Sequence, residues 1–166
     1  MRKYLINNLV KICDFGLVRS LTHEEDHSLI LSEEVATRWY RSPEMLLSSH
    51  NYGKKTDVWS VGCIIAELLM GRPIFPGEST LNQMEKIAEF TGIPSQENIN
   101  SLKSEVAENL INQLNIKKKP IKEYFSKSDK ELVNLAVRML DFNPSKRISV
   151  EEGLNEPIFD EFKNEK

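Results

Sequence analysis

The segment from residue 56 to residue 70 constrains the fold more than any other part of the chain. Its apolar residues, Val58, Trp59, Val61, Ile64, Ile65, Leu68 and Leu69, point in nearly every direction around a helix. A helix that is apolar all round cannot lie on a surface, so other elements have to enclose it. Thr56 is placed to cap its start, and Gly71 and Pro73 end it. The chain therefore needs a mainly helical body built around one central helix.

The remaining pattern supplies that body. A second helix is predicted over 81–91, opened by the capping-box pattern Thr80-x-x-Gln83, with Leu81, Met84, Ile87 and Ala88 on one face. A third is predicted over 129–141, where Leu132, Leu135, Ala136, Met139 and Leu140 share a face and Asn143-Pro144 stops it. Ser149-x-x-Glu152 starts a short fourth. Residues 94–125 read as short helices and loops. Only the start reads as strand: Tyr4-Leu5-Ile6, a turn at Asn7-Asn8, then Leu9 to Cys13. Residues 20–34 carry Glu24, Glu25, Asp26, Glu33 and Glu34 with little periodic apolar content, and read as an exposed loop.

Composition excludes several classes. The 166 residues suffice for one domain, and 40% apolar with 28% charged content is ordinary for a globular chain. A net charge of −3, with no strongly basic stretch, argues against nucleic acid as a partner. The one basic cluster, Lys117-Lys118-Lys119 with Lys122, reads as a solvated loop or helix end, or as a docking patch for an acidic partner. Cys13 and Cys63 sit inside apolar runs and form neither a disulfide framework nor a metal site, which points to a reducing compartment, cytoplasmic or nuclear. Asn7, Asn8 and Lys11 interrupt the apolar start, so it does not read as a signal peptide, and no segment approaches the length of a membrane span.

Three signals then fall in order. Asp14-Phe15-Gly16 follows a short apolar strand, Ala36-Thr37-Arg38-Trp39-Tyr40-Arg41-Ser42-Pro43-Glu44 comes next, and Asp57-Val58-Trp59-Ser60-Val61-Gly62-Cys63 opens the central helix. Gly71-Arg72-Pro73-Ile74-Phe75-Pro76-Gly77 and Asn143-Pro144-x-x-Arg147 follow. The set resembles the activation segment and helical lower lobe of a eukaryotic protein kinase, and the wording around Thr37 and Arg72 is similar to mitogen-activated protein kinases. The resemblance implies a partial kinase fold over residues 1–162. Strands fill 1–13, the activation segment 14–44, and the helical lobe 45–162 with an insert at about 94–125; 163–166 form a tail.

The resemblance also assigns roles. It gives Asp14 a magnesium ligand's role, since a hard dication takes carboxylate oxygen, and gives Gly16 a sharp backbone turn beside it. Phe15 completes that motif. Asp57 matches the aspartate that holds the catalytic loop, and a helix N-terminus favours an acid there in any case. Glu44 and Arg147 match a buried pair joining the activation segment to the helical lobe, with Trp59 as part of the same architecture. Val35, Thr37 and Arg41 match the pocket that accepts proline after the target residue, which implies a proline-directed parent. Cys13 falls beside the nucleotide pocket, either accessible to a reagent or buried and inert.

The activation loop departs from the family. Its Thr-x-Tyr pattern is replaced by Ser32-Glu33-Glu34. Ser32 could accept a phosphate that pairs with Arg19. Glu34 stands where the family has a tyrosine whose phosphate pairs with the positions of Arg38 and Arg41. It is either a permanent acceptor for those arginines or a solvated loop acid.

The family's glycine-rich loop, strand lysine and His-Arg-Asp catalytic loop have no match in the 166 residues, and the second magnesium ligand's place falls at Met1 or Lys3. No catalytic residue is therefore expected here. ATP and magnesium are implied for a complete parent serine/threonine kinase in intracellular signalling, with this chain alone expected neither to bind them nor to transfer phosphate. Expected partners are protein substrates, an upstream kinase or phosphatase, and an N-terminal kinase lobe, with no nucleic acid and no membrane. The competing reading is a non-catalytic, pseudokinase-like docking or regulatory module.

Overall fold

The computed structural model describes residues 5–6, 9–18, 37–47, 53–102 and 104–163. The chain divides into two compact units, Met1–Leu31 and Ser32–Lys166. In the first, β1 (Leu5–Ile6) and β2 (Leu9–Val10) pair antiparallel, with Leu5 opposite Val10 and Ile6 opposite Leu9. The second strand ends at Val10, shorter than the run to Cys13 suggested, and a 3-10 turn follows at Phe15–Leu17.

The second unit is helical. In chain order it contains α1 (Pro43–Leu46), α2 (Lys54–Met70), α3 (Thr80–Thr91), α4 (Gln96–Ser101), α5 (Glu105–Asn112), α6 (Ile121–Tyr124), α7 (Lys130–Met139), α8 (Val150–Leu154) and α9 (Asp160–Lys163). A 3-10 turn at Arg38–Tyr40 precedes α1. Helix α2 is the axis. It starts two residues earlier than Thr56 because Gly53 is its extended N-cap, which frees the Thr56 hydroxyl to donate to Glu44 instead. Its stop follows the sequence: Gly71 takes φ 72°, and its N–H donates to the Glu67 carbonyl at 2.8 Å.

Packing on α2 is uneven. Trp59, Cys63 and Ala66 are fully buried in the larger core with Phe75, Met84, Ile87 and Phe90. Val58 packs with Leu135, Met139 and Ile148 in a smaller cluster shared with α7. Val61 and Leu68 remain 45% and 71% exposed, so the described residues enclose α2 on only part of the circumference that its apolar pattern asks to be covered. The described helices cover the adjacent faces of α2 carrying Val58 and Trp59, and Val61 and Leu68 lie on the side turned away from them.

A run of rings ties the larger core together. Trp59 stacks on Phe75 at 5.7 Å, Phe75 meets Phe90 edge-on at 5.7 Å, and Phe90 meets Tyr124 edge-on at 5.1 Å. Residues 94–125 are short helices and loops, with Lys117–Lys119 in a loop. Helix α8 carries the full capping box: the Ser149 hydroxyl accepts from the Glu152 N–H, and the Glu152 carboxylate accepts from the Ser149 N–H. No helix among the described residues is long and apolar enough to cross a membrane.

Candidate functional site

In the first unit the site residues are Cys13 to Gly16. Asp14 is exposed and adopts φ 66°, the left-handed region. The sharp turn is thus made by Asp14 itself, a residue type whose short polar side chain tolerates that region, while Gly16 stays at negative φ. Phe15 is 66% exposed and Cys13 half-buried. One exposed carboxylate at a tight turn suits a magnesium ion that draws its remaining oxygens from a nucleotide and water. The described residues contain no cluster of three or more metal-ligating side chains.

In the second unit the segment from Thr37 to Leu47 is fastened to the helices at several points. Arg38 donates to the Glu78 carbonyl at 2.8 Å, and the Trp39 indole N–H donates to the Gly77 carbonyl at 3.0 Å. The Tyr40 hydroxyl donates to the Glu67 carboxylate at 2.6 Å, and the Ser60 hydroxyl donates to the Tyr40 carbonyl at 2.8 Å. Burial, then the Glu67 carboxylate beside it, pushes the Tyr40 hydroxyl up to about 12.

At the far end of the segment lies the most buried charge pair. Arg147 holds Glu44 with both terminal nitrogens, at 2.8 and 3.0 Å, and the two side chains are 0% and 1% exposed. Arg147 also donates to the carbonyls of Lys55 at 2.6 Å and Asp141 at 3.1 Å, and its guanidinium lies 5.1 Å from the centre of the Trp59 ring. Burial alone would raise the Glu44 carboxyl. The hydrogen bonds and charge of Arg147 outweigh it and hold that carboxyl below its ordinary value.

The structure therefore brings Glu44, Trp59 and Arg147 together, and keeps Arg38 and Arg41 on one fastened segment behind the exposed Thr37. Asp57 sits exposed in the first turn of α2. Arg19, Ser32, Glu34 and Val35 lie outside the described residues.

Gln83 is the residue that sequence reasoning misplaced. Thr80 and Gln83 do not form a capping box, because Ser79 is the N-cap of α3 and accepts from the Asn82 N–H at 3.1 Å. Gln83 is fully buried instead. Its amide oxygen accepts from the Gly77 N–H at 3.0 Å, and its amide nitrogen donates to the Trp39 carbonyl at 3.4 Å. The signal was present: Gln83 precedes Ile87 by one helical turn, so a polar side chain stands on the apolar face and needs a partner.

The fastened segment, the central α2 and the buried Glu44–Arg147 pair place the chain in a known class. Residues 4–159 match the protein kinase domain, and the chain belongs to the protein kinase family. Within that family it is similar to mitogen-activated protein kinases. It is 48% identical over 158 residues to mitogen-activated protein kinase 15 of Xenopus laevis, covering 93% of this chain and 27% of that one. It is 46% identical over 154 residues to mitogen-activated protein kinase mpkB of Aspergillus fumigatus, covering 92% and 44%. The structure matches MAP kinase LmaMPK10 from Leishmania major with a TM-score of 0.76 at 33% identity, over 93% of this chain and 46% of that one. The chain thus spans less than half the length of these relatives.

Proposed function

We propose that the chain is the activation segment and helical lobe of an ATP-dependent, proline-directed serine/threonine kinase. The observation that supports this best is the fastening of Thr37–Glu44 by Glu67, Gly77, Glu78, Gln83 and Arg147. Phosphoryl transfer depends mainly on positioning and charge neutralisation, so the chain's contribution is to hold the acceptor peptide still. On this reading Thr37 and Arg41 belong to the surface that receives the residue after the target, and the family likeness adds Val35 to that role. Asp14 supplies one carboxylate to a magnesium ion carried by the nucleotide, and that ion neutralises phosphate charge when bound. The family likeness extends the reading to the activation loop, with Ser32 as the residue to be phosphorylated and Glu34 as a permanent negative charge where the family has a phosphorylated tyrosine.

On this reading the 166 residues alone transfer no phosphate, since no stretch of them matches the His-Arg-Asp loop that supplies the family's general base. The test has two arms. The chain alone is incubated with ATP, magnesium and a Ser-Pro peptide, and no transfer is expected. The chain is then joined to the N-terminal half of the Aspergillus fumigatus relative. Transfer is expected to prefer Ser-Pro over Ser-Ala peptide and to vanish in Asp14→Asn. Activity of the chain alone, or a joined kinase indifferent to proline, overturns the proposal.

A further inference from the structure

A groove of about 290 Å³ opens between the end of α3, the loop leading into α6 and the turn after α7. Phe90, Ile121, Val137 and Phe142 line its apolar part, and Lys118 and Lys146 stand beside them. Asp141 is the one acid in the lining, and its carboxylate already accepts from the Asn143 N–H at 2.8 Å. Lys118 and Lys146 are both exposed, and neither has a carboxylate partner among the described residues. In a chain of net charge −3, two lysines without a carboxylate partner at one groove of mixed polar and apolar lining are a local reversal of sign.

The walls are held in place. The Lys119 N–H donates to the Glu89 carbonyl at 2.7 Å and its ammonium meets the Glu89 carboxylate at 2.7 Å, which fixes the basic loop against α3. Gly92 takes φ 89°, and a Cβ there would lie 3.4 Å from Lys118 Cδ, so the lysine stem rests against the glycine turn. The Asn143 amide donates to Asn98 at 2.8 Å and ties α4 to the turn after α7. A groove built this way loses little freedom on binding.

We propose that this groove docks an acidic segment of a partner protein, with one apolar side chain entering it and the flanking carboxylates meeting Lys118 and Lys146. A positive rim speeds encounter with an acidic partner and rejects basic ones, while the apolar wall retains the anchor. The plainer role for these lysines is to complement the carbonyl ends of α3 and α7. That role predicts a stability effect and no ligand.

The probe is a fluorescein-labelled peptide of four glutamates around one leucine, titrated against the full chain by fluorescence anisotropy, with the all-lysine counterpart as control. The acidic peptide is expected to saturate, to weaken as salt rises from about 0.05 to 0.3 M, and to weaken about tenfold in Lys118→Glu/Lys146→Glu. The lysine peptide is expected not to bind. Lys54→Glu/Lys127→Glu makes the same charge change at exposed positions outside the groove and should leave binding intact. Thermal melting of the groove variant should match that of the unmodified chain. Failure of the acidic peptide to saturate, equal weakening by the control pair, or a lowered melting temperature in the groove variant overturns the proposal.

Discussion

Arg147 grips the carboxylate of Glu44 from 103 residues away, and both side chains are shut off from water. Such a pair stabilises little relative to a hydrophobic replacement but costs much when one partner is lost. Glu44→Gln and Arg147→Ala should each destabilise the chain by about 3–5 kcal/mol, read from urea unfolding. Arg147→Lys should not rescue, because an ammonium cannot hold both oxygens and also reach the Lys55 and Asp141 carbonyls. The folded carboxyl lies below its ordinary value of 4.5, so its contribution is present above about that pH and is lost as pH falls through the lower folded value. The stability gap between the unmodified chain and Glu44→Gln should be full at neutral pH and close in acid below 4.5.

Gly62 lies where α2 meets α7. A Cβ on it would stand 2.8 Å from Met139 Cβ and 3.1 Å from two Leu140 carbons. Alanine gains up to about 1 kcal/mol of helix propensity over glycine, while forcing atoms into a packed interface costs about 1–3 kcal/mol. The second effect wins because the nearest atom is a Cβ, close to its own backbone and unable to swing away. Gly62→Ala should lower the unfolding midpoint. Gly53→Ala, where a Cβ meets nothing within 4 Å, should not show this clash.

What could be read from the sequence follows the range of each interaction. The end of α2 at Gly71 and the capping box at Ser149 depend on neighbours within a turn, and both were legible. Helix α2 itself was legible as the axis, while which of its apolar faces the described residues cover was not. Val61 and Leu68 are apolar yet exposed, and a pattern records which residues are apolar without recording what covers them. Thr80-x-x-Gln83 failed for a related reason: Gln83 is satisfied by Gly77 and Trp39, and its long-range partners overrode the local motif. Glu44 and Arg147 were linked only through the kinase resemblance, since no local rule joins residues so far apart. Lys118 was legible as part of a basic cluster open to an acidic partner, but the groove it shares with Lys146 was hidden because its sides come from three separate stretches.

Gln83→Met tests how firmly α3 holds the segment before α1. Methionine keeps the length and removes both hydrogen bonds, leaving the buried Gly77 N–H with only its contact to the Phe75 carbonyl at 3.0 Å. The expected loss is about 1–3 kcal/mol. Hydrogen exchange should quicken at Gly77 while amides in α8 keep their protection relative to global unfolding. Uniform loss across the chain would mean that Gln83 serves general stability and does not specifically hold the segment.

Tyr40 and Glu67 form the contact with the clearest alkaline signature. Burial, then the hydrogen bond and charge of Glu67, favour the neutral phenol and raise Tyr40 from 10.0 to about 12. Because the folded value is raised, this contribution is intact below pH 10 and is lost as pH rises toward 12. Tyr124 is likewise raised to about 12, first by burial, so both tyrosines among the described residues should ionise late in an ultraviolet phenolate titration. Tyr40→Phe should remove one late equivalent and leave that of Tyr124. Urea should return both late tyrosines to the ordinary range. The same substitution should cost only about 1 kcal/mol, because Glu67 is partly exposed and water can replace the lost donor. A titration in which Tyr40→Phe removes an ordinary equivalent would show that the hydroxyl is not held by Glu67.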